Sequence, residues 1–187
     1  SLKLLRVCNK KPISLEVFAD TFAQMVEQAH IINSWGQNIY VKIPVINSKG
    51  SFSGEAINKL SNEGLKLNIT AVYTVAQVKK IIKCINKNYK TIISIFAGRM
   101  GDVGKNPIPI IKESVRITKT IKNVEILWAS TREAYNYTQA KKCGCSIITM
   151  PPSIIEKISK FGKTYQTLTL DTVKKFLKDS KDSNFKI

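Results

Sequence analysis

Short, nearly continuous apolar runs alternate along this chain with longer stretches in which apolar residues return every third or fourth position, a rhythm that reads as strand alternating with helix. The strands fall at Ile13–Phe18, Asn38–Val45, Leu67–Ala71, Thr91–Phe96, Val124–Ala129 and Ser146–Met150. Between them, Asp20–Trp35 carries Phe22, Met25, Val26, Ala29 and Ile32 at helical spacing, and Thr74–Asn86 carries Val75, Val78, Ile81, Ile82 and Ile85. Ser53–Glu63, Pro107–Lys122, Thr131–Lys142 and Pro152–Lys160 read as further helices, with Gly64 and Gly144 placed to close the first and third of these. Ser1–Lys11 reads as the basic tail of a helix, and a last helix is expected over about Leu170–Lys178, followed by a frayed polar tail.

Strand following helix in this way implies parallel strands joined by helical crossovers, in an open doubly wound sheet or a closed barrel. No Gly-x-Gly-x-x-Gly follows any strand, which weakens the dinucleotide-binding version. A chain of 187 residues is expected to form one domain, 1–187.

One run breaks the apolar pattern. In Asn38-Ile39-Tyr40-Val41-Lys42-Ile43-Pro44-Val45 a lysine occupies the middle of what otherwise reads as a buried strand. Side chains alternate between strand faces, so Val41, Ile43 and Val45 share one side and Tyr40, Lys42 and Pro44 the other. If helices cover the aliphatic side of every strand, the opposite face collects Ser14, Glu16 and Phe18, then Lys42, then Asn68 and Thr70, then Ser94 and Phe96. In the fifth strand Ile126, Trp128 and Ser130 share a face, and Ser130 is counted with the polar set at the strand's end. A sheet covered on both sides is usually apolar on both faces. A polar inner face rich toward the carboxyl ends of the strands is what a barrel with its site at that mouth requires.

Composition changes this picture little. The net charge of +17, from 30 Lys and Arg against 13 Asp and Glu, raises a nucleic-acid hypothesis, but the lysines are scattered over every segment and no nucleic-acid-binding signature is present. The charge is suited instead to drawing in phosphorylated metabolites. No apolar run is long enough to span a membrane and no signal-peptide pattern opens the chain, so a soluble, cytoplasmic protein is expected. The four cysteines, Cys8, Cys84, Cys143 and Cys145, lack metal-ligand spacing and read as free thiols; His30, the sole histidine, reads as a structural or surface residue.

Two segments offer an anion site near the polar face. Gly98-Arg99-Met100-Gly101-Asp102-Val103-Gly104 reads as a glycine-rich loop with an arginine at its start, and Ser130-Thr131-Arg132-Glu133 fits a capping box with Ser130 at the N-cap and Glu133 at N3. An amine taken out of water is readied to attack a carbonyl and form a Schiff base. With Lys42 in that role, Glu16 as the one carboxylate on its face, Thr70 and Asn68 positioning a water, and a phosphate grip beyond, the set describes aldol chemistry on a sugar phosphate.

These residues resemble the transaldolase family in its short form, close to the fructose-6-phosphate aldolases. The likeness lies in SLEVFAD at 14–20, YVKIPV at 40–45, EGLKLNITAVYTVAQ at 63–77, ISIFAGRMGDVG at 93–104, LWASTREAYN at 127–136 and GCSIITMP at 144–151. The resemblance implies a (β/α)8 TIM barrel of which this chain supplies strands 3 to 8, lacking two earlier strands that carry an aspartate and a Thr-Asn-Pro motif. It implies Lys42 as Schiff-base lysine, Glu16 as acid and base, Thr70 with Asn68 as the water-holding pair, Ser94 and Phe96 as pocket lining, and Arg99, Ser130 and Arg132 as phosphate ligands. It implies sugar-phosphate substrates, a homo-oligomer, and no metal or organic cofactor. Relatives of the aldolase type carry glutamine and tyrosine where this chain has Glu16 and Phe96, which favours transfer of a dihydroxyacetone unit over simple cleavage. The missing strands imply a marginally stable, N-terminally incomplete barrel, with an inactive truncated barrel as the alternative.

Overall fold

The computed structural model describes residues 2–8 and 11–183. The chain divides into two compact units, Ser1–Met150 and Pro151–Ile187.

The first unit begins with helix α1 (Leu2–Cys8), whose Leu5 packs on the core; residues 9 and 10 of the expected helical tail lie outside the described residues. Six strands follow, β1 (Ile13–Glu16), β2 (Ile39–Pro44), β3 (Leu67–Val72), β4 (Thr91–Ile95), β5 (Val124–Trp128) and β6 (Ile147–Ile148). They lie side by side in chain order and every pair is parallel. The crossovers are α2 (Phe22–Asn33), α3 (Gly54–Asn62), α4 (Val75–Cys84), α6 (Ile108–Thr118) and α7 (Tyr135–Cys143), with a short α5 (Ala97–Asp102) directly after β4. Among the described residues β1 and β6 each pair on one side only.

Alternation assigns the faces as the sequence suggested. Val41, Ile43, Val45, Leu67, Ile69, Ile93, Ile95, Ile126 and Trp128 form one buried cluster with Met25, Ala29, Ile57, Leu60, Val78, Ile81 and Ile111 from the helices. Ile43, Leu67, Ile69 and Ile93 have no solvent exposure, and full burial of such a side chain is worth about 1.5–3 kcal/mol, so this layer holds the sheet. The opposite face has a second, smaller cluster of Tyr40, Ile92, Leu127 and Ala129, against which Phe96 and Ile147 pack. This apolar floor was not expected.

Several boundaries move, each for a local reason. The first strand ends at Glu16: Val17 N–H still donates to the Lys42 carbonyl at 3.1 Å, but Phe18 N–H turns to the Gln28 side chain at 2.7 Å. Phe18, expected on the inner face, is therefore 95% exposed. The third strand carries an irregularity between Ile69 and Val72, with Ala71 at φ 58°, so Val72 and not Ala71 rejoins the outer core. The segment read as a glycine-rich loop starts with the helical turn α5, because Ala97 and Met100 are both buried. Thr74 and Gln77 form the capping box that starts α4, whereas no such box forms at Ser130. Gly144, at φ 80°, ends α7 in the left-handed conformation anticipated for it.

Cys143 is buried at the end of α7, and burial, with Cys143 adding to it, pushes the Cys145 thiol up to about 12. A raised thiol stays protonated, so Cys145 in the native protein at pH 8 should alkylate on the order of 10³-fold more slowly than in the unfolded chain, read by mass spectrometry after iodoacetamide treatment. Equal rates in the two states would contradict this packing.

The second unit contains α8 (Pro152–Ile158) and α9 (Tyr165–Asp182). The last helix is longer than the 170–178 expected because Thr164 caps it, its Oγ1 accepting from Thr167 N–H at 3.1 Å. Residues 184–187 of the expected frayed tail lie outside the described residues. Among the described residues no helix is long and apolar enough to cross a membrane.

Candidate active site

Side chains from all six strands border one cavity of about 600 Å³ on the inner face: Ser14 of β1, Lys42 of β2, Asn68 of β3, Ser94 of β4, Leu127 of β5 and Ile147 of β6. A single concavity touched by every strand requires the sheet to curl, and the curl gives Lys42 a chamber to point into.

The parallel register sets the chemistry side by side. Glu16 pairs with Lys42 across β1 and β2, and Lys42 with Asn68 across β2 and β3. Lys42 Nζ donates to Glu16 Oε2 at 3.2 Å, with the lysine side chain 27% and the glutamate 41% exposed. An amine and a carboxylate within hydrogen-bond reach are a nucleophile and a base able to exchange a proton.

Asn68, buried, is held at both ends of its amide. Ser94 Oγ donates to Asn68 Oδ1 at 2.7 Å, and Asn68 Nδ2 donates to Ser14 Oγ at 2.9 Å. Ser14 thus joins the site, which inner-face alternation had suggested without assigning it work. Tyr40 also borders the cavity; burial first, then the Glu125 carboxylate, push its phenol up, so it remains a protonated donor at neutral pH.

Phe96 borders the cavity and packs against its apolar floor. Its ring meets Tyr73 edge-on at 5.9 Å, lies 6.0 Å from Lys42 Nζ, and takes the Arg99 guanidinium over its face at 5.1 Å. Arg99 and Ser130 both border the cavity. By alternation Ser130 belongs with Ile126 and Trp128 on the outer side; a φ of 62° turns it inward.

Three expected members stand apart. Glu16 borders a separate cavity of about 220 Å³ with Leu15, Phe18 and Trp35, and its link to the chamber is the contact with Lys42. Thr70 is buried at 1% exposure and, among the described residues, does not border the cavity; its Oγ1 has no hydrogen-bond partner in the protein. Arg132 borders a neighbouring cavity with Gly98, Asp102 and Glu133, where its Nε and Nη2 donate to Asp102 Oδ2 at 3.0 and 2.7 Å. Nor does Ser130 cap α7. The helix starts at Tyr135, and the Asn136 side chain accepts from the Arg132 and Glu133 N–H groups instead. Among the described residues no group of three His, Cys, Asp or Glu side chains is placed to hold a metal ion.

The fold and this site define an α/β chain whose parallel strands present a lysine and a buried amide to one chamber, with a carboxylate in contact with the lysine from the neighbouring strand. The profile of the family described as "Transaldolase/Fructose-6-phosphate aldolase" matches residues 2–187, and the chain belongs to that family. It is 34% identical over 170 residues to a "Probable transaldolase" of Caldicellulosiruptor saccharolyticus, covering 90% of this chain and 72% of that one. It is 30% identical over 172 residues to a "Probable transaldolase" of Nitrosopumilus maritimus, covering 91% and 72%. A solved structure described as "Native KDPGal structure" overlays with a TM-score of 0.39 at 8% identity over 87% of this chain and 78% of that one, too distant to carry an argument.

Proposed function

We propose that this protein is a transaldolase, moving a dihydroxyacetone unit between sugar phosphates of the pentose phosphate pathway through a Schiff base on Lys42. The observation that carries the reading is the Lys42–Glu16 contact of 3.2 Å at a cavity that also takes Arg99 and Ser130. Glu16 accepts the proton that Lys42 sheds, and the free amine adds to the ketose carbonyl. The resulting carbinolamine loses its hydroxyl as water when Glu16 returns the proton, leaving a protonated imine. That imine draws electrons from the bond between the α and β carbons, one removed from the imine carbon itself. As the hydroxyl on the β carbon gives up its proton to Glu16 the bond breaks, an aldehyde departs, and three carbons stay on Lys42 as an enamine. Attack of the enamine on an acceptor aldehyde and hydrolysis of the new imine complete the transfer.

Asn68, locked by Ser14 and Ser94 at the cavity wall, holds a substrate hydroxyl or a relaying water, and Thr70, buried behind that wall, acts only if the wall shifts. Arg99, over the Phe96 face, and Ser130, both at the cavity, take the phosphate end in this reading.

Glu16 and Phe96 supply the test that separates transfer from simple cleavage of fructose 6-phosphate. In a Glu16→Gln, Phe96→Tyr double variant, transfer to an acceptor aldehyde is expected to fall on the order of 10²-fold while cleavage in its absence rises. A transfer-to-cleavage ratio that does not move would overturn the roles given to this pair.

A further inference from the structure

We propose that Asp102 is a built-in competitor for the guanidinium of Arg132, so that this arginine is released to the chamber only by a ligand carrying a phosphate dianion. The proposal rests on the reading of the chamber mouth as a phosphate site. It starts from an anomaly: of the cationic and polar groups assigned to that end, Arg99 and Ser130 border the Lys42 chamber, but Arg132 borders the adjoining cavity of about 380 Å³ with Asp102.

The two cavities meet at a thin wall. Gly98 lines the outer one and Ser130 the inner one, and an ideal Cβ on Gly98 would lie 1.5 Å from the Ser130 carbonyl oxygen. The same Cβ would lie 3.0 Å from Arg132 Cγ, so the arginine stem runs across the glycine at this wall. A long, flexible stem anchored there has its head on one side through a single tie. Nε and Nη2 both donate to one oxygen, Asp102 Oδ2. The Arg132 and Asp102 side chains are 53% and 46% exposed, so water and salt weaken the pair and a stronger anion displaces it.

A phosphate monoester is such an anion. It carries close to two negative charges at neutral pH and three acceptor oxygens, against one charge on a carboxylate. Held by Arg99 and Ser130, it brings that charge to the wall and outcompetes Asp102 for Arg132, whereas a neutral sugar or a singly charged acid does not. Asp102 thereby sharpens selection for phosphorylated substrates, and it costs some affinity for them. It is a positioning residue, because it acts on substrate through Arg132.

The test is inorganic phosphate binding to the whole protein, measured by calorimetric titration at pH 7.5 and repeated at pH 5.5, where phosphate is mostly a monoanion. Asp102→Asn is expected to bind phosphate about 2- to 5-fold more tightly than wild type, a gain that should vanish in the Arg132→Ala background. Discrimination between the two pH values should narrow as well. Asp102→Ser serves as a second variant, and circular dichroism verifies that each one folds. Unchanged or weaker phosphate binding in Asp102→Asn, an equal gain without Arg132, or no phosphate binding to any of the five proteins overturns the proposal. Because the readout needs no turnover, it separates from the Schiff-base reading: failure here with a sugar adduct on Lys42 removes only the role of Asp102, and success here without an adduct removes only the aldol chemistry.

Discussion

Lys42→Met is expected to abolish transfer, lowering the rate by on the order of 10⁴-fold or more, while leaving the melting temperature within a few degrees of wild type. Methionine keeps the length of the side chain and removes only the amine. The side chain is partly exposed and, among the described residues, pairs with an exposed glutamate, so little stability depends on it. No other group in the chamber can replace its chemistry: Ser14, Asn68 and Ser94 are tied to each other, and Tyr40 stays protonated. Retention of more than about a hundredth of the wild-type rate would assign the reaction to another group.

The largest structural effect is expected at Gly98. An alanine there would put a methyl 1.5 Å from the Ser130 carbonyl oxygen and 2.6 Å from its carbon, both backbone atoms that no side-chain rotation moves aside. Relief requires β5 and the start of α5 to separate, which breaks the Gly98 N–H to Ala129 carbonyl bond and shifts Arg99, Ser130 and Arg132 together. Gly98→Ala should cost about 3 kcal/mol or more of unfolding free energy in a urea titration, the range of severe overpacking. Gly101, one turn on in the same helix, meets nothing within 4 Å, so Gly101→Ala should be neutral or slightly stabilising. Equal stability of the two variants would refute the close approach.

The contrast between Lys42 and Arg132 shows which parts of the site the sequence disclosed. Lys42, Glu16, Asn68 and Ser94 were found by alternation because regular strands in parallel register turn sequence parity directly into a shared face. Wherever the backbone leaves that regularity, parity misleads. Ser130 reaches the chamber only through a left-handed φ, and Thr70 precedes the left-handed Ala71. Phe18 lies beyond the last ladder bond and is exposed instead of inward. Arg132 was placed by its neighbourhood to a helix start, a local signal, whereas its orientation is decided by an ion pair thirty residues away in sequence. The Ser130–Glu133 pattern had the residues of a capping box, but Asn136 takes those N–H groups and starts the helix later. Alternation also left the apolar floor of Tyr40, Ile92, Leu127 and Ala129 unrecognised, although each of these stands opposite its strand's outer aliphatic residues.

The account turns on whether Lys42 forms a covalent imine with a ketose phosphate. The direct measurement is to incubate the protein with fructose 6-phosphate, reduce with borohydride, digest, and locate any added mass by tandem mass spectrometry. A three-carbon adduct on Lys42, absent from Lys42→Met, is the expected result, since the bond between the α and β carbons breaks before reduction and dihydroxyacetone carbons remain on the amine. No adduct, or one spread over the surface lysines and unchanged in Lys42→Met, would contradict the assignment.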